Sequence, residues 1–260
     1  MVISFAHQKG GTGKTTSLLS LADYLSSMGK SVLVIDLDPQ ASSTSFLLHF
    51  DENTENTLTS DQIAHKILTD GVDLEPTKLG ESNIFLIPSS GLLSQTELNL
   101  ALDNSENSRV HRLKNWLDTR KNDYDFVFID CAGSLGILTM NGLVASDQVL
   151  VVSSIGKFER LSTKYFMKAI NETVKAFNPS IQVLGILLTM TDPYNITDKT
   201  IASLKQDSEI ESKLFTSNIP KNNAIRNATN DSISIWKYDP YSPSAKAYIR
   251  VWEEIEQRLS

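Results

Sequence analysis

Short apolar runs alternate along the chain with longer segments in which apolar residues recur every three or four positions. Such runs are typical of buried strands, and such segments are typical of helices that cover a sheet. The pattern predicts strands at Val2–Ala6, Ser31–Asp36, Ile84–Ile87, Phe126–Asp130, Gln148–Ser153, Gln182–Thr189 and about Leu214–Ile219. It predicts helices at about Thr15–Met28, Ser60–Leu68, Arg109–Arg120, Ile137–Ala145, Leu161–Phe177, Asp198–Asp207 and Pro243–Leu259.

This alternation predicts an α/β fold. Parallel strands joined by helices give a doubly wound, mostly parallel sheet flanked by helices on both faces. The length of 260 residues fits one domain. Because the first strand begins at the second residue, we expect a single domain over 1–260 with no N-terminal DNA-binding extension. Residues 51–82 are polar and irregular; we interpret them as a variable loop, with a partner-binding surface as the alternative.

Residues 7–14, here called the phosphate loop, join the first strand to the first helix and are followed by Thr15 and Thr16. A phosphate tail is bound by backbone N–H groups that approach closely, so such a loop needs positions without a β-carbon. Lys14 can then reach the β- and γ-phosphates, and the Thr15 hydroxyl can ligate Mg²⁺. The glycines that meet the first need are Gly10, Gly11 and Gly13.

The loop departs from the usual G-x-x-x-x-G-K-[ST] pattern, because Gln8 replaces the first glycine and Lys9 stands beside it. This is the deviant Walker A form. Lys9 leaves the loop on the side opposite Lys14, so it could reach a nucleotide held by a second subunit and stabilise its charge in trans. The alternative is a solvated surface lysine.

Three carboxylates end predicted strands at the edge of the sheet where ligands of such folds bind. Asp130 follows four apolar residues and has the form of a Walker B aspartate, which holds Mg²⁺ through water. Asp36 and Asp38, two residues apart, are expected to face the γ-phosphate, one toward the metal's waters and the other toward the attacking water. The alternatives are a helix cap at Asp130 and a simple Asp- and Pro-rich turn at residues 36–39.

Composition limits the classes of protein and of site that this chain can represent. The single cysteine, Cys131, excludes a disulfide framework and a four-cysteine metal site within one chain, and it favours a cytoplasmic protein. The net charge of −7 argues against a nucleic-acid partner. However, residues 1–156 hold 10 Lys/Arg against 19 Asp/Glu, whereas residues 157–260 hold 14 against 12. The C-terminal part could therefore carry a local basic patch, with ordinary solvated helices as the alternative.

In combination the motifs resemble the ParA/MinD family of deviant Walker A ATPases, and among them the small ParA-type (Soj-like) partition proteins. The resemblance extends from the first strand to the segment YDPYSPSAK near the C-terminus. The matching segments are KGGTGKTT (9–16), DLDPQAS (36–42), YDFVFIDC (124–131), SLGILTMN (134–141) and IPKN (219–222).

The resemblance implies a P-loop ATPase that binds ATP and Mg²⁺ and forms a homodimer when ATP is bound, with each Lys9 touching the partner's nucleotide. It implies nonspecific DNA binding, release by a ParB-type centromere-binding protein that stimulates hydrolysis, and a nucleoid-associated location without a membrane partner. Lys9, Lys14 and Asp38 are the implied catalytic residues, and Thr15, Asp36 and Asp130 the metal-binding ones. The implied nucleotide-binding residues are Lys9, Gly10, Gly11, Thr12, Gly13, Lys14, Thr15, Thr16, Pro220 and Asn222.

Two departures from the family pattern affect these expectations. Many relatives carry Pro-Pro where this chain has Ala132-Gly133, which predicts a more flexible loop before Ser134. The family's frequent arginine after the I-P-x-N motif corresponds to Ala224. The DNA-contacting residues are therefore only a hypothesis, and the candidates are Lys221, Arg226, Lys246 and Arg250.

Other classes of function remain alternatives. A MinD-type membrane-surface ATPase would need a basic amphipathic C-terminal helix, whereas the last predicted helix has the pattern of a core helix. A nitrogenase-reductase-like electron carrier would need more cysteines than one. A ligase acting on a small carboxylate would use the loop without DNA, and a binding module that has lost hydrolysis is disfavoured by the presence of Asp38 and Asp130.

Overall fold

The computed structural model describes residues 1–48, 63–103, 106–192 and 195–260. Their strands form one eight-stranded sheet in the order β3-β4-β2-β5-β1-β6-β7-β8, and the pairing is parallel except for β3, which runs antiparallel to β4. The strands are β1 (Val2–Ala6), β2 (Val32–Asp36), β3 (Thr77–Lys78), β4 (Ile84–Ile87), β5 (Phe126–Asp130), β6 (Gln148–Ser154), β7 (Gln182–Thr191) and β8 (Ile219–Pro220). The predicted doubly wound, mostly parallel sheet is confirmed.

The helices cover both faces of this sheet. They are α1 (Lys14–Ser27), α2 (Ser42–Leu48), α3 (Ala64–Asp70), α4 (Leu92–Leu102), α5 (Glu106–Val110), α6 (Arg112–Leu117), α7 (Ile137–Val144), α8 (Lys157–Ala169), α9 (Lys175–Phe177), α10 (Asn195–Leu204), α11 (Ser208–Lys213), α12 (Asn223–Asn230), α13 (Ile235–Tyr238) and α14 (Pro243–Leu259). A 3₁₀ turn (Lys121–Asp123) precedes β5, and a π-helical turn (Ile170–Val174) joins α8 to α9.

The apolar pattern explains the central strands. β1 lies between β5 and β6, and every residue of β1 and β2 is buried, as expected of strands covered on both faces. In the register of β2 with β5, Asp36 is paired with Asp130. Two carboxylates therefore meet at the carboxyl edge of the sheet, beside the loop that follows β1.

Several predicted elements differ from the observed ones. The strand predicted at Leu214–Ile219 is wrong over most of its length, because only Ile219–Pro220 forms β8, and Leu214 makes a single bridge to Ile186. The helix predicted at Arg109–Arg120 is two short helices, and the one predicted from Leu161 begins at Lys157. Part of the helix predicted at Ser60–Leu68 lies outside the described residues.

Each face of the sheet has its own apolar core. One core contains the inner sides of α1 and α14, and the other those of α3, α6 and α7. Tyr248, Trp252 and Ile255 of α14 are almost completely buried, so this helix packs in the core as its pattern predicted. Within the described residues, no helix is both long and apolar enough to cross a bilayer.

Candidate nucleotide-binding site

The phosphate loop turns tightly between β1 and α1 because two of its glycines adopt left-handed backbone angles. Gly11 has φ of 73° and Gly13 has φ of 84°, which side chains with a β-carbon rarely adopt. A β-carbon on Gly13 would lie 3.4 Å from Thr189 Oγ1 of β7. Thr189 Oγ1 also donates to the Thr12 carbonyl at 2.7 Å, so β7 supports the loop from below.

Lys14 lies inside this turn. Its residue is 6% exposed, and Nζ donates to the Lys9 carbonyl at 3.2 Å, so the ammonium is folded back over the loop. The loop borders a cavity of about 450 Å³. The cavity wall includes every residue from Gly10 to Thr16, together with Asp38 and Met190. A concave pocket with backbone amides and one buried cation is suited to an anionic ligand.

Asp130 lies directly beneath the start of α1. Its Oδ2 accepts hydrogen bonds from Thr15 Oγ1 at 2.7 Å and from Ser43 Oγ of α2 at 2.5 Å. Its Oδ1 is buried without a hydrogen-bond partner among the described residues. A buried carboxylate oxygen of this kind is costly unless something else satisfies it, such as a cation or its water.

Asp36 is buried beside Asp130 and faces α2. Its Oδ2 accepts from the Thr44 amide at 2.9 Å and from Thr44 Oγ1 at 2.8 Å, and its Oδ1 accepts from the Asp38 amide at 3.0 Å. Burial raises the pKa of both carboxyls, and the charge of Asp130 raises the pKa of Asp36 further. A nearby cation would offset both causes and favour the ionised pair.

The donors around Asp130 fit a magnesium ion held together with a phosphate ligand. Within the described ranges, no group of three or more His, Cys, Asp or Glu side chains is arranged to hold a metal. Mg²⁺ keeps several waters and is usually bound by one or two protein groups plus substrate phosphates rather than by an all-protein cage. The Thr15 hydroxyl and the free oxygen of Asp130 match that sparse set.

Asp38 occupies a different position from Asp36, although the two are only two residues apart. It lies on the cavity wall and is partly exposed, and its Oδ1 accepts from the Gln40 amide at 2.9 Å. Its carbonyl accepts from Ser89 Oγ at 2.6 Å. The expectation that Asp36 and Asp38 face the same way is therefore wrong: Asp38 lies toward the cavity, and Asp36 lies toward α2.

A second cavity of about 320 Å³ continues from the first and shares Gly13, Thr16 and Met190 with it. Pro220 and Asn222, two of the residues that the sequence analysis expected at the nucleotide, line it. Asn222 also caps α12, its Oδ1 accepting from the Ala224 amide at 2.8 Å. The apolar side chains and backbone edges of this cavity are suited to a flat heterocycle.

Lys9 lies on the other side of the loop, and α8 holds that side. The Lys9 ammonium pairs with the Glu159 carboxylate, and Gln8 Nε2 donates to the Ser162 carbonyl at 3.0 Å. His7 Nδ1 accepts from the Lys9 amide at 3.2 Å, so Nε2 carries the proton and donates to Thr163 Oγ1 at 3.2 Å. Burial lowers the pKa of His7 to about 4, and the charges of Lys14 and Lys9 add to this effect.

Gly133 touches the phosphate loop. A β-carbon at this position would lie 2.9 Å from Gly10 Cα and 3.0 Å from its nitrogen, closer than packed atoms come. The sequence predicted that Ala132-Gly133 loosens the loop after β5. The structure gives Gly133 another role, because the glycine lets that loop pack directly against the phosphate loop.

The four candidate DNA-contacting residues are exposed and lie around β8 and α14. Lys221 and Arg226 border the second cavity, while Lys246 and Arg250 lie one turn apart on the outer side of α14. Ser244 Oγ donates to the Pro220 carbonyl at 3.4 Å, which ties the start of α14 to β8. Among the described residues, none of these four cations has a carboxylate partner.

The sequence analysis missed several residues of the site. Ser43 and Thr44 bind the carboxylates from α2, and their only signal was the Ser-Ser-Thr run after residues 36–41, which is typical of a helix start. Thr189 and Met190 follow an apolar strand and carry no motif. Glu159 is 150 residues from Lys9 and was not distinguishable from a solvated glutamate.

Comparison with known proteins agrees with this geometry. A protein-family model described as an AAA domain (AAA_31) matches residues 1–183. The chromosome-partitioning ATPase Soj of Treponema pallidum is 32% identical over 98% of this chain and 96% of its own length. The chain belongs to the ParA/MinD family of deviant Walker A ATPases.

Two solved structures are also similar to this member of the ParA/MinD family. A plasmid partition protein from Borrelia burgdorferi bound to AMPPNP is 25% identical with a TM-score of 0.81, covering 99% of this chain and 98% of that one. Cobyrinic acid a,c-diamide synthase from Mycobacterium smegmatis, with a bound ATP analog and magnesium, is 28% identical with a TM-score of 0.75. That similarity covers 97% of this chain and 95% of the synthase chain.

Proposed function

We propose that this protein is a DNA-partition ATPase whose ATP-bound form is a homodimer that binds DNA without sequence preference. The observation that carries the proposal is the opposed arrangement of two lysines on one loop. Lys14 is buried toward the cavity, whereas the Lys9 side chain is 45% exposed on the far side. One cation is placed for the chain's own nucleotide, and the other is accessible to a second copy.

ATP and Mg²⁺ are the proposed ligands of the cavity. The loop amides from Gly10 to Thr16 bind the phosphates, with Thr16 at the α-phosphate, and the second cavity, with Pro220 and Asn222, takes the adenine. Mg²⁺, when bound, neutralises charge on the β- and γ-phosphates. Thr15 and Asp130 would hold it, with Asp36 beside Asp130 at the edge of the sheet. The structure of the Borrelia relative with AMPPNP supports this assignment.

Asp38 is the proposed residue for orienting the attacking water. Its carboxylate lies on the cavity wall, whereas Thr15 and α2 donate their hydrogen bonds to Asp130 and Asp36. Hydrolysis is expected to be slow for the isolated protein, since no arginine lies in the phosphate loop to complete the charge stabilisation. A ParB-type centromere-binding protein is the proposed activator, and the nucleoid of the cytoplasm is the proposed location.

DNA binding is assigned to the basic surface of Lys221, Arg226, Lys246 and Arg250. Cations without carboxylate partners are available to phosphates, and a dimer presents each of them twice. Binding that depends on neutralising phosphates weakens steeply as salt rises. The membrane-surface alternative is disfavoured, because α14 is buried in the core rather than available as an amphipathic surface helix.

Sedimentation velocity with ATP, ADP or no nucleotide tests the dimer. Wild type is expected to dimerise with ATP alone. Lys9→Ala should bind ATP and remain a monomer, whereas Asp38→Ala should persist as a dimer because it cannot hydrolyse. A wild-type protein that stays monomeric with saturating ATP would overturn the homodimer.

DNA co-sedimentation with ATP tests the basic surface. Arg226→Glu/Lys246→Glu should abolish retention on nonspecific duplex DNA. Lys78→Glu/Lys114→Glu, the same charge change with Lys78 at the opposite edge of the sheet, should retain binding. Equal retention of both double variants would contradict the assignment of DNA binding to this surface. Metabolic use of ATP, as in the diamide synthase, would then become the better-supported function.

A further inference from the structure

We infer that Glu159 restrains Lys9 within its own subunit, and that this ion pair must break before Lys9 can reach a nucleotide on a second copy. The inference rests on the proposed function, because it assigns a regulator to the proposed dimer contact. It concerns a residue outside every motif, on a helix that does not bind the nucleotide.

The restraint is part of a continuous attachment between the loop and α8. Residues 7, 8 and 9 contact residues 163, 162 and 159 of α8, in that order. Each contact uses a side chain of the loop. Only the outermost one, between Lys9 and Glu159, is an ion pair, and it is the one nearest solvent on the Lys9 side.

The backbone before Glu159 leaves space for its carboxylate. Gly156 has φ of 146°, and a β-carbon there would lie 2.5 Å from Glu159 Oε2. The side chain of Glu159 is only 12% exposed, although glutamates are mostly solvated. Burial favours the neutral acid, but the hydrogen bond from Lys9, a backbone hydrogen bond and the positive charge of Lys9 together lower the pKa of Glu159 below its usual range. The carboxylate is therefore ionised at neutral pH.

The Lys9–Glu159 ion pair can break and re-form, because Lys9 remains accessible to other partners. The Lys9 side chain is 45% exposed, so water can replace its partner at moderate cost. A triphosphate on a second copy carries more charge than one carboxylate and can compete for the same ammonium. Without such a competitor, Lys9 stays at Glu159 and the dimer contact is not formed.

One exposed side of α8, next to this pair, is apolar. Phe158, Leu161 and Tyr165 are 74%, 51% and 57% exposed, and they are spaced along one side of the helix. Because Glu159 lies within this segment, a second copy that covered the apolar residues would meet Lys9 at the same time. Release of the ion pair and burial of this surface are therefore expected to occur together.

The test compares Glu159→Gln with Glu172→Gln, which removes the same charge farther along the helical segment, where Glu172 pairs with Lys168. Dimerisation is measured by sedimentation as protein is titrated with saturating AMPPNP, so that hydrolysis does not interfere. Each released pair is expected to contribute roughly fivefold, and since a dimer contains two, the dissociation constant should fall about 25-fold in Glu159→Gln. Glu172→Gln should match wild type.

A second measurement does not depend on the dimer. Limiting acetylation of the nucleotide-free protein, followed by mass spectrometry, reports the accessibility of each lysine amine. Lys9 should be labelled severalfold faster in Glu159→Gln than in wild type, and the labelling of Lys30 should not change. Unchanged Lys9 labelling, or a dimer that is weakened by Glu159→Gln, would overturn the restraint. Faster labelling in a protein that never dimerises would instead overturn the proposed function.

Discussion

The C-terminal end of the phosphate loop is fixed by contacts that are buried and short, whereas Lys9, nearer its N-terminal end, makes a contact that is half open to solvent. Thr189 and Asp130 bind the C-terminal end from the sheet, at Thr12 and Thr15. At the other end, Lys9 bonds to α8 through a charged pair. The first arrangement preserves the shape of a binding site, and the second permits one side chain to change partners.

The largest expected difference between the two ends concerns their lysines. Lys14→Ala should weaken ATP binding about 100-fold, because it removes a buried cation from the phosphate site. Lys9→Ala should change the affinity of the monomer less than about threefold, because its ammonium lies outside that site. Titration with a fluorescent ATP analogue at protein concentrations below dimerisation measures both. Lys30→Ala, another exposed ion-paired lysine, is the control. Equal losses in both loop variants would remove the distinction.

His7 offers a pH test of the N-terminal end. Its pKa of about 4 lies below the ordinary 6.5, so between these values the unfolded chain binds a proton that the folded chain does not. The free energy of unfolding should therefore fall as pH drops from about 6.5 to about 4, with up to about 3 kcal/mol from this group. His7→Gln should lose less stability over that range. Urea unfolding at several pH values measures the difference, and parallel curves for the two proteins would contradict it.

Thr189→Val should produce a smaller effect at the C-terminal end of the loop than Lys14→Ala. The variant keeps the shape of the side chain but loses the hydrogen bond to the Thr12 carbonyl, which is expected to weaken ATP binding about fivefold. Thr191→Val is the matched control on the same strand, because Thr191 bonds to Asn218 and not to the loop. Isothermal titration calorimetry compares the two, and a similar loss in both would assign the effect to β7 as a whole.

The sequence predicted the sheet and the phosphate loop because both depend on local pattern. Apolar runs specify covered strands, and Gly11 and Gly13 specify the left-handed turns. The fold class was confirmed for this reason. Helix α12, beside the second cavity, was not predicted, because it is only eight residues long and three of those eight residues are asparagines, which are weak helix formers.

The remaining differences come from contacts between distant parts of the chain. The sequence did not indicate that Asp36 faces Thr44 while Asp38 faces the cavity, because that separation depends on where α2 packs. Nor did it indicate the partner of Lys9, since a glutamate in the first turn of a helix is ordinary. Such pairings are determined by tertiary packing.

The contact between Gly133 and Gly10 has a consequence for how this protein differs from relatives with Pro-Pro at residues 132–133. Two backbones meet there, and a β-carbon at residue 133 would require the two segments to part, whereas one at residue 10 would meet no atom within 4 Å. Glycine at 133 and the present course of the phosphate loop therefore form a matched pair. Replacing Gly133 alone by proline is therefore expected to push the loop after β5 away from the phosphate loop, because the course of each segment depends on the other.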